Sequence, residues 1–118
     1  MKNSLSELTQ LVCKFRDERD WKQFHKPKDM VVALLVEAAE LAETVQWKSD
    51  QEFLEKLKSN PTAVSHELAD VLYWVILMAH DFDIDLEQAF LDKLDLNSKK
   101  YPVELAKGKS DKYHSYSK

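Results

Sequence analysis

At 118 residues, with one glycine, three prolines and one cysteine, the chain is long enough for one domain and too short for two. The single glycine, against an average usage of about 7%, excludes a glycine-rich phosphate loop, a GxGxxG fingerprint and a many-turned β-sandwich or barrel. A net charge of −4 excludes the basic face of a general nucleic-acid binder, and the lone Cys13 can form neither an intrachain disulfide nor a cysteine zinc cluster. In chain order, Ser4 with Glu7 reads as a capping box opening a first helix, with Leu5, Leu8, Leu11, Val12 and Phe15 at helical spacing. Residues 19–26, RDWKQFHK, form a polar-aromatic connection. Pro27 suits the first turn of a second helix, expected to run through Met30 to about Trp47. Ser49 with Glu52 is a second capping box, opening a short charged helix to about Leu57. Asn60-Pro61 reads as a turn, with Thr62 capping a long helix from Ala63 to about His80. Asp85 with Gln88 opens the last helix, which ends near Tyr101-Pro102. Residues 103–118, rich in Lys, Ser and Tyr, are expected to be a flexible C-terminal tail after a helical domain of residues 1–102.

The expected fold is all-α, a bundle of four to five helices. Two of them are apolar nearly all round: from Met30 to Val45 the only polar side chains are Glu37, Glu40, Glu43 and Thr44. A surface helix carries a full polar face opposite its apolar stripe. A chain of this size cannot surround two such helices by itself, so a homo-oligomer, dimer or tetramer, is expected to complete the bundle. The start, MKNSLSEL, lacks the apolar core of a signal peptide, and the longest apolar run, Val71–Ala79, is too short to span a bilayer. A cytoplasmic protein with no membrane or nucleic-acid partner is therefore expected.

The chemistry rests on carboxylates. Glu37 and Glu40 stand three apart, hence side by side on one helix face, and Glu67 and Asp70 repeat the pattern on the fourth helix. Spacing alone says little, because Glu52 and Glu55 share it within the charged QEFLEKLK and read as a solvated face. What separates the two cases is the flanking sequence, VVALLVEAAELAETV and VSHELADVLYWVILM, which holds no Lys or Arg to pair the acids. Two like charges about 4 Å apart repel by about 4 kcal/mol at an effective dielectric near 20. Four such groups between apolar helices call for cations, and an all-oxygen donor set favours Mg²⁺, with Mn²⁺ as the alternative. A di-iron bundle would need Glu-x-x-His on two helices, which this sequence lacks. The competing reading is a non-catalytic helical interaction module with the acids as a charged seam.

Glu37-x-x-Glu40 and Glu67-x-x-Asp70, separated by residues 41–66, resemble the signature of MazG-like nucleoside triphosphate pyrophosphohydrolases. The similarity is greatest to the all-helical subgroup that includes the dCTP pyrophosphatases, through ERDWKQFHKPK (18–28), VEAAELAETVQWKSD (36–50), HELADVLYW (66–74) and DKLDLNSKKYPVE (92–104). The resemblance implies Mg²⁺-dependent hydrolysis of (deoxy)nucleoside triphosphates to monophosphate and pyrophosphate, in nucleotide-pool cleaning. It implies Glu37, Glu40, Glu67 and Asp70 as catalytic metal ligands. Val36 occupies a position where the broader family often has a further Glu, which implies a site resting on these four acids, with Glu43 as an outer group or a ligand to a third metal. Substrate contacts fall on Trp21, His25, Trp47, Trp74, Lys93, Asn97 and Tyr101. Trp74 follows Asp70 by four residues and should border the acids. Val12 stands where dCTP-specific relatives carry a base-reading His, so dATP joins dCTP as a candidate substrate.

Overall fold

The computed structural model describes residues 4–116 as helices and connections, with no strand among them. The described residues fall into two compact units, within 1–83 and 84–118. In the first unit α1 (Leu5–Glu18) begins with the expected capping box: Ser4 Oγ accepts from the Glu7 amide at 3.2 Å, and the Glu7 carboxylate accepts from the Ser4 amide at 2.8 Å. A 3₁₀ turn (Lys22–Phe24) leads to α2 (Pro27–Glu43), with proline in its first turn. α3 (Asp50–Ser59) opens with the second capping box, Ser49 and Glu52.

Two helix limits differ from the expectation. α2 stops at Glu43, about one turn before Trp47, because the Thr44 hydroxyl and amide both donate to the Leu41 carbonyl and tighten the chain into a turn. α4 (Pro61–Asp81) starts two residues before Ala63, and Thr62 does not cap it. Pro61 needs no cap, since its fixed φ suits the first helical position and it has no amide hydrogen to satisfy.

α4 is the central column, with α1, α2 and α3 each packed against it. Its 21 residues extend well beyond the Val71–Ala79 run, and by length and composition alone it could cross a bilayer. Packing from three neighbours, and the two acids it carries, mark it instead as the core helix of the unit. That core is small: among the described residues Met30, Ile76, Leu77 and Ala79 are its buried apolar side chains. Val31, Leu35, Val32 and Val36 on α2, and Leu68 and Leu72 on α4, remain exposed within one chain. The apolar surface that the sequence carries on these helices is thus present but largely uncovered. Arg16, by contrast, is 1% exposed, and pairs with Asp81 at 2.7 Å.

Two turns of this unit take left-handed backbone at aspartate rather than glycine, Asp20 (φ 53°) and Asp83 (φ 57°). A short polar side chain tolerates this region better than most residues do. The second unit holds α5 (Leu86–Lys100), capped by Asp85 accepting from the Gln88 amide as expected, and a short α6 (Val103–Ala106). Tyr101 meets Tyr113 and Tyr116 edge-on, with ring centroids 6.0 and 5.7 Å apart.

Candidate active site

α2 and α4 bring their acids together. Ligand oxygens of Glu37, Glu67 and Asp70 lie within 4.8 Å of one another. Glu40 stands beside them, within hydrogen-bonding reach of both Glu37 and Glu67. Glu43, one turn further along, adds its charge to the field at Glu67. Among the described residues, Oε2 of Glu37 and Oε2 of Glu67 are buried without a hydrogen-bond partner. A buried acceptor left unmatched costs free energy unless something binds it. Burial, then the neighbouring Glu40 carboxylate and the charges of Asp70 and Glu67, push Glu37 up to about 7. Glu67 is raised for the same reasons, burial first and then Glu40 and Asp70. A cluster of oxygens with two unpartnered acceptors and no basic side chain in its helical segments fits a hard divalent cation.

Beside the acids lies a cavity of about 480 Å³. α1 contributes Leu11, Val12 and Phe15 to it, the connection contributes Trp21 and His25, and α4 contributes Tyr73 and Trp74. Glu37 and Asp70 form its acidic edge. The aromatic walls brace one another edge-on: Phe15 meets Trp21 at 5.7 Å and Tyr73 at 6.2 Å, and Trp74 meets Tyr73 at 5.3 Å and His25 at 5.1 Å. The Arg19 guanidinium stacks 3.8 Å over Phe15 on the outer side. Such a cavity has the size and lining of a site for a planar ring, with an acid cluster where a charged group attached to that ring would project.

Of the residues singled out in the sequence, Glu37, Glu40, Glu67, Asp70, Trp21, His25 and Trp74 come together here, and Trp74 borders the acids as its spacing requires. Val12 lines the cavity as well. Trp47 does not: it sits in the turn after α2 and is 87% exposed. Lys93, Asn97 and Tyr101 belong to the second unit, the first two on α5 and Tyr101 at its end. Leu11, Phe15 and Tyr73 join the lining with no motif to announce them. Their helical spacing identifies an apolar face without saying whether it packs on protein or borders a space.

Fold and site together define an all-helical protein with a carboxylate centre between two helices. The MazG-like family model matches residues 32–115. The dCTP pyrophosphatase 1 proteins of Homo sapiens and Mus musculus are each 40% identical over 112 residues, which is 93% of this chain. The chain spans about two thirds of their length (66%). A crystal structure of a pyrophosphatase from Archaeoglobus fulgidus is similar with a TM-score of 0.78 and 34% identity, covering 86% of this chain and 95% of that one. The chain belongs to the MazG-like family.

Proposed function

We propose that this chain is a nucleoside triphosphate pyrophosphohydrolase, dependent on Mg²⁺ with Mn²⁺ as a substitute. It cuts deoxynucleoside triphosphates between the α and β phosphates to give a monophosphate and pyrophosphate. The observation that carries this reading is the convergence of three acids, Glu37 from α2 with Glu67 and Asp70 from α4, at the edge of an aromatic cavity. Glu37, Glu40, Glu67 and Asp70 hold the cation. Mg²⁺ bound there neutralises the charge that develops on the phosphates. The chain's own contribution is positional. Trp21, His25 and Trp74 hold the base and keep water from it, which fixes the α-phosphorus against the acids. A carboxylate of the cluster orients the attacking water in line with the departing pyrophosphate and accepts its proton.

The relatives' name points to dCTP, and Val12 in the cavity wall, in place of a polar side chain, admits dATP. Phosphate contacts from Lys93, Asn97 and Tyr101, and a base contact from Trp47, are part of the same proposal. So are a homo-oligomer that covers α2 and α4, and a cytoplasmic role in clearing unwanted nucleotides. The test is a screen of deoxy- and ribonucleoside triphosphates with Mg²⁺, reading products. Monophosphate plus pyrophosphate is expected, and diphosphate plus phosphate would place the cut at the terminal phosphate instead. Glu40→Gln should abolish turnover with the helical circular-dichroism signal intact. Retained turnover would remove Glu40 from the site, whereas a wild type that releases no pyrophosphate with Mg²⁺ would favour a non-catalytic interaction module.

A further inference from the structure

His25 is shared by two spaces. It lines the aromatic cavity, and it also borders a smaller one of about 300 Å³ with Lys22, His80 and Asp81. Its ring is held from several sides. The backbone is fixed by the 3₁₀ turn, with the His25 amide donating to the Lys22 carbonyl at 3.0 Å, and Trp74 packs edge-on at 5.1 Å. Nδ1 lies 3.4 Å from Nη1 of Arg16, the same nitrogen that donates to Asp81 Oδ2 at 2.7 Å. Nη1 carries two hydrogens, one for each partner. A guanidinium has no acceptor, so a hydrogen on Nδ1 would set two donors against each other. The contact is compatible only with an unprotonated Nδ1. In a neutral imidazole the hydrogen then sits on Nε2.

Stability alone does not account for the burial of Arg16. It is 1% exposed, its Nε makes no hydrogen bond among the described residues and has only Asp17 Oδ1 at 3.8 Å, and a buried ion pair is often no better for stability than a well-packed apolar pair. Burial, aided by the neighbouring Arg16 cation and opposed by Asp81, also holds His25 below the usual imidazole range and favours the neutral ring.

We propose that Arg16, held by Asp81, is a positioning residue that locks His25 as the Nε2–H tautomer. His25 lines the aromatic cavity, so a bound base that reaches its Nε2 would meet a hydrogen-bond donor, suited to a ring nitrogen or carbonyl oxygen and not to an exocyclic amine. The contact with a base rests on the proposed function, whereas the tautomer does not.

Long-range ¹H–¹⁵N correlation of the labelled full chain separates the two, because it reads the protonated ring nitrogen without substrate. The Nε2–H pattern is expected for His25 in the wild type, and an Nδ1–H pattern overturns the proposal. The double variant Arg16→Met with Asp81→Leu removes both charges while keeping their volume. It should give a mixed tautomer pattern and raise KM for the preferred triphosphate about tenfold, with kcat within about twofold. Arg16→Lys, which keeps a cationic donor beside Asp81, should retain the wild-type pattern and KM. An unchanged pattern in the double variant overturns the lock, and a changed pattern with unchanged KM overturns the base contact. A wild type that shows the Nε2–H pattern but cleaves no triphosphate refutes the proposed function and leaves the lock standing.

Discussion

A glutamate held near neutrality is a switch for the whole domain as well as a ligand. Glu37 lies above the ordinary 4.5 in the folded chain, at about 7, so folding takes up protons between those two values. The metal-free protein accordingly loses stability as pH rises through that window, and the penalty is complete above it. A cation that replaces the proton removes the penalty. Thermal melts should therefore show a higher Tm for the metal-free protein below about pH 5 than above about pH 7.5, with Mg²⁺ raising Tm mainly at the higher pH. An Mg²⁺ effect that is the same at both would detach the cation from these acids. Trp47 is the opposite kind of residue, apolar and outside the packed unit. Trp47→Ala should leave Tm of the separated chain nearly unchanged and raise KM, measured by steady-state kinetics. A lowered Tm with unchanged KM would assign Trp47 to packing between copies.

At the scale of elements, α2 and α4 do two jobs on opposite sides. Their acids meet each other, and their outer residues meet nothing within the chain. Leu35→Glu places a charge on the exposed side of α2, two residues before Glu37 but roughly 160° around the helix from it. It should reduce the mass seen by light scattering to that of a single chain, with turnover falling in parallel if a second copy completes the site. Much of this is legible in the sequence. Capping boxes at Ser4 and Ser49 and the Asp85 cap are local signals, decided within four residues, and each begins its helix where expected. The acid pairs are legible because apolar flanks make them costly. The end of α2 is not, since it depends on Thr44 turning its hydroxyl back onto Leu41. Neither is the Arg16–Asp81 pair, whose partners sit on α1 and at the end of α4, nor the lining role of Tyr73. Periodicity reveals which residues share a face. It says nothing about what stands opposite.

For the molecule as a whole, four buried apolar side chains among the described residues are a slender basis for stability. The proposed association, standing in for a larger core, would tie folding to protein concentration. Tm is expected to rise as the protein is concentrated, an effect Leu35→Glu should abolish, and scanning calorimetry over a wide concentration range checks both. A Tm independent of concentration would mean that the single chain is stable as it stands.

The two capping boxes also have a consequence in time. Because Ser4 with Glu7 and Ser49 with Glu52 satisfy their own helix ends, α1 and α3 can nucleate before any partner arrives. Convergence of α2 and α4 is different, for it must force like charges together. Refolding followed by stopped-flow circular dichroism is therefore expected to form the local helices first and to bring the acids of α2 and α4 together last, in a phase that Mg²⁺ speeds.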